Sequence, residues 1–397
     1  MEDLVLALSR TPLPEDRLHA IRAAIDDMTA WDAFFSQAVA WDAFFSQAAA
    51  WDVEPVVMSN LRTHFSDTLA EPILKRAAVH EQHARTEALS GTLVLVDLAD
   101  RFTDRRIDLI ILKGPAVAIA AYGNPSFRTF ADIDLLVRKQ DLASARDLLL
   151  ALGYARDYSP SSERRLISDQ HALEFSRENI KVELHWALLS KHLRFDIGEA
   201  ELWSTSRLVP CAGAELRVLG PAHLFMFLCA HGTKHEWERI RWICDIVQLA
   251  ERLDSGEADA VLALAERANA KRILELALRV ARDVIGEMNG PFVSRVPFSD
   301  PEAARLAAQV SMRLGLTEKR DSRAGWTARL DFRLRPLIFW ARSRERRTDQ
   351  VATLVRVFLV PTENDSGAGP FAWISRPLRL GRRALSNVLR SRPAASE

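Results

Sequence analysis

The chain has 397 residues, 48% of them hydrophobic and 27% charged, which excludes disordered and fibrous classes and leaves length for two or three domains. Lys plus Arg and Asp plus Glu both number 53, so the net charge is zero and no overall field draws the protein to nucleic acid or to a membrane surface. Cys211, Cys229 and Cys244 show no CxxC spacing, and neither a signal peptide nor a membrane-spanning run is legible, so a cytoplasmic protein without a disulfide framework or cysteine zinc site is expected.

From about Glu15 to Asp104 apolar residues recur at three-and-four spacing, and Pro55 and Pro72 stand where helices start. This predicts an N-terminal helical domain over 1–104. Inside it AWDAFFSQAV, from Ala30, is followed at once by AWDAFFSQAA, from Ala40, and then by a third start, AWDVEPVV, at Ala50. A ten-residue step turns an ideal helix by about 1000°, so successive copies would point their aromatics about 80° apart. That extends no single face, and the period lies outside the range of solenoid repeats. The reading is a duplication tolerated in a helical region, with a longer helix presenting aromatics to a partner as the alternative.

Between Ile107 and about Leu219 the pattern changes. IDLIILKG, ADIDLLV, HALEFS and IKVELHWAL read as strands, with helices at Ala116 to Ala121 and Leu142 to Leu152 between them. Gly153 is placed as a helix C-cap, and Tyr154 to Ser162 reads as a polar loop around Pro160. This is an α/β core over 105–219. Helical periodicity returns from Pro221, giving a C-terminal helical domain over 220–360, and 361–397 carries the loop PTENDSGAGP and an arginine-rich tail that reads as a solvated or docked helix. The fold class is therefore α+β, a sheet core flanked by N-terminal and C-terminal helical domains.

In FADIDLLV side chains alternate, so Asp132 and Asp134 share one face of a strand while Ile133, Leu135 and Val137 point to the other. Two carboxylates side by side repel unless a cation neutralises them, and a hard divalent ion with oxygen ligands, Mg2+ above all, is suited to that. Upstream, a strand ending at Lys113 and Gly114 leads into a helix opened by Pro115. A glycine there lets a phosphate approach the backbone, and the helix N-terminus offers free N–H groups. Lys113 reads as a phosphate contact or an ordinary strand-end lysine, and Arg128 as a phosphate-binding fork or half of a surface ion pair.

These residues carry a family resemblance. LKG, a helix ending in YGNPSFR, then DIDLLV, a helix and LGYA are similar to the bacterial uncharacterised nucleotidyltransferases, relatives of the antibiotic nucleotidyltransferases in the DNA polymerase beta-like superfamily. VELHW, HGTKHEWERIRWICDI, PTENDSGAG and RPLRL extend the resemblance over about Trp51 to Arg383. It implies a nucleotidyltransferase-fold mixed sheet. It also implies transfer of a nucleoside monophosphate from an NTP to an unidentified small-molecule, peptide or protein acceptor with loss of pyrophosphate, using Mg2+ or Mn2+.

Asp132 and Asp134 would hold the metals, and the third carboxylate the superfamily adds falls on Glu183, which shares a strand face with Lys181 and His185. Lys113, Gly114 and Arg128 would hold the nucleotide. The superfamily's turn is Gly-Ser, whereas Lys113-Gly114-Pro115 stands in its place, which motivates an alternative, a non-catalytic nucleotide-binding regulatory protein. A nucleic-acid tailing enzyme is disfavoured by the balanced charge. His231 and His235, at i and i+4 with Asp245 beyond, have a spacing open to zinc but lack the HExxH glutamate, and read better as lining the acceptor side of a cleft, with Asp245 a candidate base.

Overall fold

The computed structural model describes residues 1–35, 39–130, 132–290, 292–315 and 335–359. The arginine-rich tail and the PTENDSGAG loop lie outside the described residues, as do the ring side chains of the first repeat copy.

Among the described residues the N-terminal region folds as α1 (Glu2–Leu8), α2 (Glu15–Phe35), α3 (Val39–Ala50), α4 (Glu54–His64) and the long α5 (Glu71–Asp104). Pro55 and Pro72 occupy first-turn positions of α4 and α5, where a missing N–H costs nothing. The two repeat copies do not run on as one helix: α2 ends at Phe35 and α3 begins at Val39. The Asp32 carboxylate accepts hydrogen bonds from the backbone N–H of Ala40 (2.7 Å) and Trp41 (3.2 Å), so the first copy caps the helix made by the second. Trp41, Phe44 and Phe45 of the second copy are buried core residues.

The core region contributes β1 (Leu109–Ile111), α6 (Pro115–Tyr122), β2 (Asp132–Val137), α7 (Leu142–Ala151), β3 (Ala155–Arg156), α8 (Glu163–Asp169), β4 (Ala172–Arg177), β5 (Ile180–His185), α9 (Glu199–Thr205), β6 (Arg207–Cys211) and β7 (Ala214–Val218). The seven strands form one mixed sheet in the order β3-β4-β5-β2-β1-β7-β6. Strand β2 is its centre, antiparallel to β1 and parallel to β5. The expected loop from Tyr154 to Ser162 is corrected in part: it contains the short edge strand β3, because its backbone pairs with β4 at Ala155 and Arg156.

The remaining helices are α10 (Pro221–Lys234), α11 (Ile240–Arg252), α12 (Ser255–Arg267), α13 (Lys271–Ile285), α14 (Pro301–Arg313), α15 (Arg335–Ser343) and α16 (Arg347–Leu359). One apolar core lies under the sheet, where Ile133, Leu135, Val137, Val182 and Leu184 pack with Leu95, Leu98 and Phe102 of α5 and Leu148 and Leu149 of α7. The second core joins the N-terminal helices to those after the sheet, from Val5 and Phe44 to Phe225, Ile243, Leu276 and Trp340. Burial of apolar area drives both. The first core covers one face of the sheet, and the face that carries Asp134 and Glu183, where Ile110 and Leu136 pack into the second core, is turned toward α10 and α11.

Candidate active site

Strand alternation and register assemble the polar face of the sheet. Along the parallel pair, Asp132 stands opposite Lys181, Asp134 opposite Glu183 and Leu136 opposite His185. Asp132, Asp134, Glu183 and His185 therefore project on the side away from the Leu135 and Leu184 core. His185 Nε2 lies 3.2 Å from Asp134 Oδ1 and 3.2 Å from Glu183 Oε2, bridging two carboxylates on neighbouring strands. One ligand atom each from Asp134, Glu183 and His185 lie within 4.8 Å of one another.

Lys113, just beyond the end of β1, places its Nζ 2.7 Å from Asp134 Oδ1. The backbone N–H of Leu112 bonds the Asp134 carbonyl, which fixes where the lysine leaves the sheet. Burial disfavours charge on Asp134, but Lys113 and His185 outweigh it and hold this carboxyl well below the usual range. His185 shows the converse: burial opposes the imidazolium, yet Asp134 and Glu183 prevail and raise its pKa. Burial and the Asp134 charge push Asp132 upward, while the hydrogen bond from His185 keeps Glu183 low.

The donor set suits a divalent cation on two counts. The carboxylates are hard oxygen ligands, and Asp134 Oδ2 is buried without a hydrogen-bond partner, a costly state for an anionic oxygen unless a cation takes it. The imidazole of His185, within hydrogen-bond distance of both carboxylates, holds them in place for such an ion.

Gly114 caps α6 with φ +62°, a left-handed conformation that favours glycine, and a Cβ there would lie 3.4 Å from the Phe130 ring. The turn and this close packing account for the glycine on their own. Arg128 is fully buried, with its Nε 3.0 Å from Asp245 Oδ2, so the surface ion pair considered for it is instead an interior one. The other Asp245 oxygen accepts from the Tyr122 hydroxyl at 3.1 Å. Both carboxylate oxygens are thus committed in a residue 1% exposed, which corrects the reading of Asp245 as a base: it anchors Arg128. For the same reason Asp245 does not complete a zinc set with His231 and His235.

A cavity of about 690 Å³, within the range of small-molecule sites, lies over this face. Lys113, Arg128, Asp132, Glu183 and His185 line one side, and His231, Lys234, His235 and Trp242 the other. Lys234 and Glu174 are among the lining residues that the sequence did not point to. Lys234 has no carboxylate within 4.0 Å among the described residues, and burial together with Lys113 lowers its pKa. Glu174 faces Glu183 across the β4–β5 pair, where burial and that like charge raise its pKa. Pairing HALEFS with IKVELH as a hairpin would have exposed Glu174 in sequence, while Lys234 carried no signal beyond its place beside His235.

The three cysteines are buried and free, and no described helix is long and apolar enough to cross a membrane. A family model described as uncharacterised nucleotidyltransferase matches residues 37–286, which takes in Lys113 to Val137 and the HGTKHEWERIRWICDI stretch. Among solved structures, the antibiotic-resistance factor ANT(2'')-Ia is 10% identical, covering 48% of this chain and 90% of its own, with a TM-score of 0.29. An antigenic nucleotidyltransferase-like protein from Paracoccidioides brasiliensis is 16% identical, covering 46% and 88%, with a TM-score of 0.28. At such scores the likeness is remote. No curated protein matches the chain.

Proposed function

The chain belongs to the uncharacterised nucleotidyltransferase family, and from that premise we propose that it is a metal-dependent enzyme. It moves a nucleoside monophosphate from an NTP to a small-molecule, peptide or protein acceptor and releases pyrophosphate. The observation that carries this reading is the orphaned oxygen of buried Asp134, grouped with Glu183 and His185, the latter lining, with Asp132, Glu183, Lys113, Arg128 and Lys234, the cavity over this face.

In this reading Asp132, Asp134 and Glu183 hold Mg2+ or Mn2+, with His185 fixing the two inner carboxylates. A bound ion supplies Lewis-acid polarisation of the phosphate and lowers the acceptor's pKa. Lys113 and Arg128, and Lys234 on the facing helix, supply positive charge where the triphosphate and its leaving pyrophosphate need compensation. Gly114 opens α6, whose free N–H groups favour an anion. Arg128 cannot drift, because Asp245 accepts from it and is itself held by the Tyr122 hydroxyl.

A second reading, a regulatory protein that binds nucleotide without turnover, is favoured by the Lys113 ion pair on Asp134 and by Pro115 where the superfamily has serine. Pyrophosphate release from each NTP with Mg2+ or Mn2+ separates the two. Release that needs metal and disappears in Asp132→Asn supports the enzyme, whereas tight NTP binding with no release across an acceptor panel supports the regulator. Release that persists in Asp132→Asn removes the assigned site.

A further inference from the structure

The wall of the cavity facing the carboxylates is built of rings. His231 and His235 lie one turn apart at the end of α10 with centroids 4.8 Å apart, and the Trp242 indole meets them at 4.9 Å and 5.5 Å. Phe227 closes the group, 6.0 Å from His231. All four line the cavity. Trp41, Trp237 and Trp340 are wholly buried, but Trp242, His231 and His235 are only half-buried and so present ring surface to the cavity.

The turn that sets these rings is strained and pinned. Glu236 and Trp237, consecutive residues, have φ +54° and +58°, a conformation unusual for any non-glycine residue and more so for tryptophan. Trp237 donates its N–H to the Gly232 carbonyl at 2.8 Å, and its ring fills the space a Cβ on Gly232 would need. Glu236 is buried and held by Arg313 and by Arg335 Nε at 3.3 Å. The protein thus spends free energy to fix the α10–α11 connection, on which His235 sits and from which Trp242 follows.

We propose that Trp242, with His231 and His235, forms the subsite that stacks the base of the NTP. This rests on the nucleotidyl-transfer reading and adds the place of the base. Lys234 lies between the two histidines on α10, so a triphosphate drawn to Lys234 and Lys113 has the rings within one helical turn. Burial and the Lys113 and Lys234 charges keep both imidazoles neutral, which suits stacking and makes them poor phosphate partners. Stacking alone is tolerant of base identity.

The test is equilibrium binding of ATP, GTP, CTP, UTP and inorganic tripolyphosphate, each with Mg2+, to the full-length protein, Trp242→Leu and Trp242→Phe. The Leu variant is expected to bind the preferred NTP about tenfold or more weakly, with tripolyphosphate affinity unchanged and the Phe variant within about threefold of wild type. Unchanged NTP affinity in Trp242→Leu overturns the proposal, and so does an equal loss for tripolyphosphate, which would mark a general disturbance. If wild type binds neither NTP nor tripolyphosphate, the nucleotidyl-transfer reading itself fails and this inference with it.

Discussion

The Lys113 ammonium lies 2.7 Å from Asp134 Oδ1, with the lysine side chain 12% exposed and the aspartate side chain 0%. Removing the lysine leaves the buried Asp134 charge with His185 as its remaining partner. Lys113→Met is therefore expected to lower the unfolding free energy by about 3–5 kcal/mol at pH 7, measured by urea denaturation. Mg2+ should recover more stability in that variant than in wild type, since a cation then replaces the lost ammonium. Equal responses to Mg2+ would contradict cation binding at Asp134.

Acid should unsettle the ring wall before the rest of the fold. Burial, with Lys234 and Lys113, lowers the His235 pKa from 6.5 to about 4. Because the folded value is the lower one, the contribution of neutral His235 is present above pH 6.5 and is lost as the pH falls toward 4. His235→Asn should lose about 2–3 kcal/mol less stability than wild type between pH 7 and pH 4, read from denaturant unfolding at both values.

Arg128, Asp245 and Tyr122 form one buried unit, and its members should differ in cost. Tyr122→Phe removes a single hydrogen bond and is expected to cost about 1 kcal/mol. Asp245→Asn strands the Arg128 guanidinium and is expected to cost about 3–5 kcal/mol. Thermal and urea unfolding of the two variants checks the ratio.

The repeated decapeptides place identical aspartates in different work. Asp32 caps α3 through two backbone N–H groups, whereas Asp42 makes an exposed pair with Arg76. Asp32→Ala should cost about 1 kcal/mol and Asp42→Ala about 0–0.5 kcal/mol. Equal costs would contradict the capping role.

The central strand was readable in sequence because its two faces obey period two. The apolar run at Leu135 to Val137 demanded a core, and the aspartates had to lie on the other side. Glu183 came from the family resemblance, which adds a third carboxylate on a neighbouring strand, and the helix from Pro115 followed from its proline. The bridging by His185 was not readable, since it needs the parallel register that sets Asp134 against Glu183. Asp245 and Arg128 are 117 positions apart, and no local pattern links them. The hairpin of β6 and β7 was missed although Ala212-Gly213 sits between its strands, both at positive φ, as a two-residue turn requires. The repeat lies in helices as expected, and the alternative of one longer helix gives way because a carboxylate in the first copy caps a new helix in the second.

The most direct test of the account is Mn2+ uptake followed by electron paramagnetic resonance, with and without NTP, in wild type, Asp132→Asn and Glu183→Gln. Uptake is expected to be strengthened by NTP in wild type and weakened about tenfold or more in each variant, with the fold intact by circular dichroism. Uptake at wild-type affinity in both variants would contradict a divalent-metal nucleotide site on this face of the sheet.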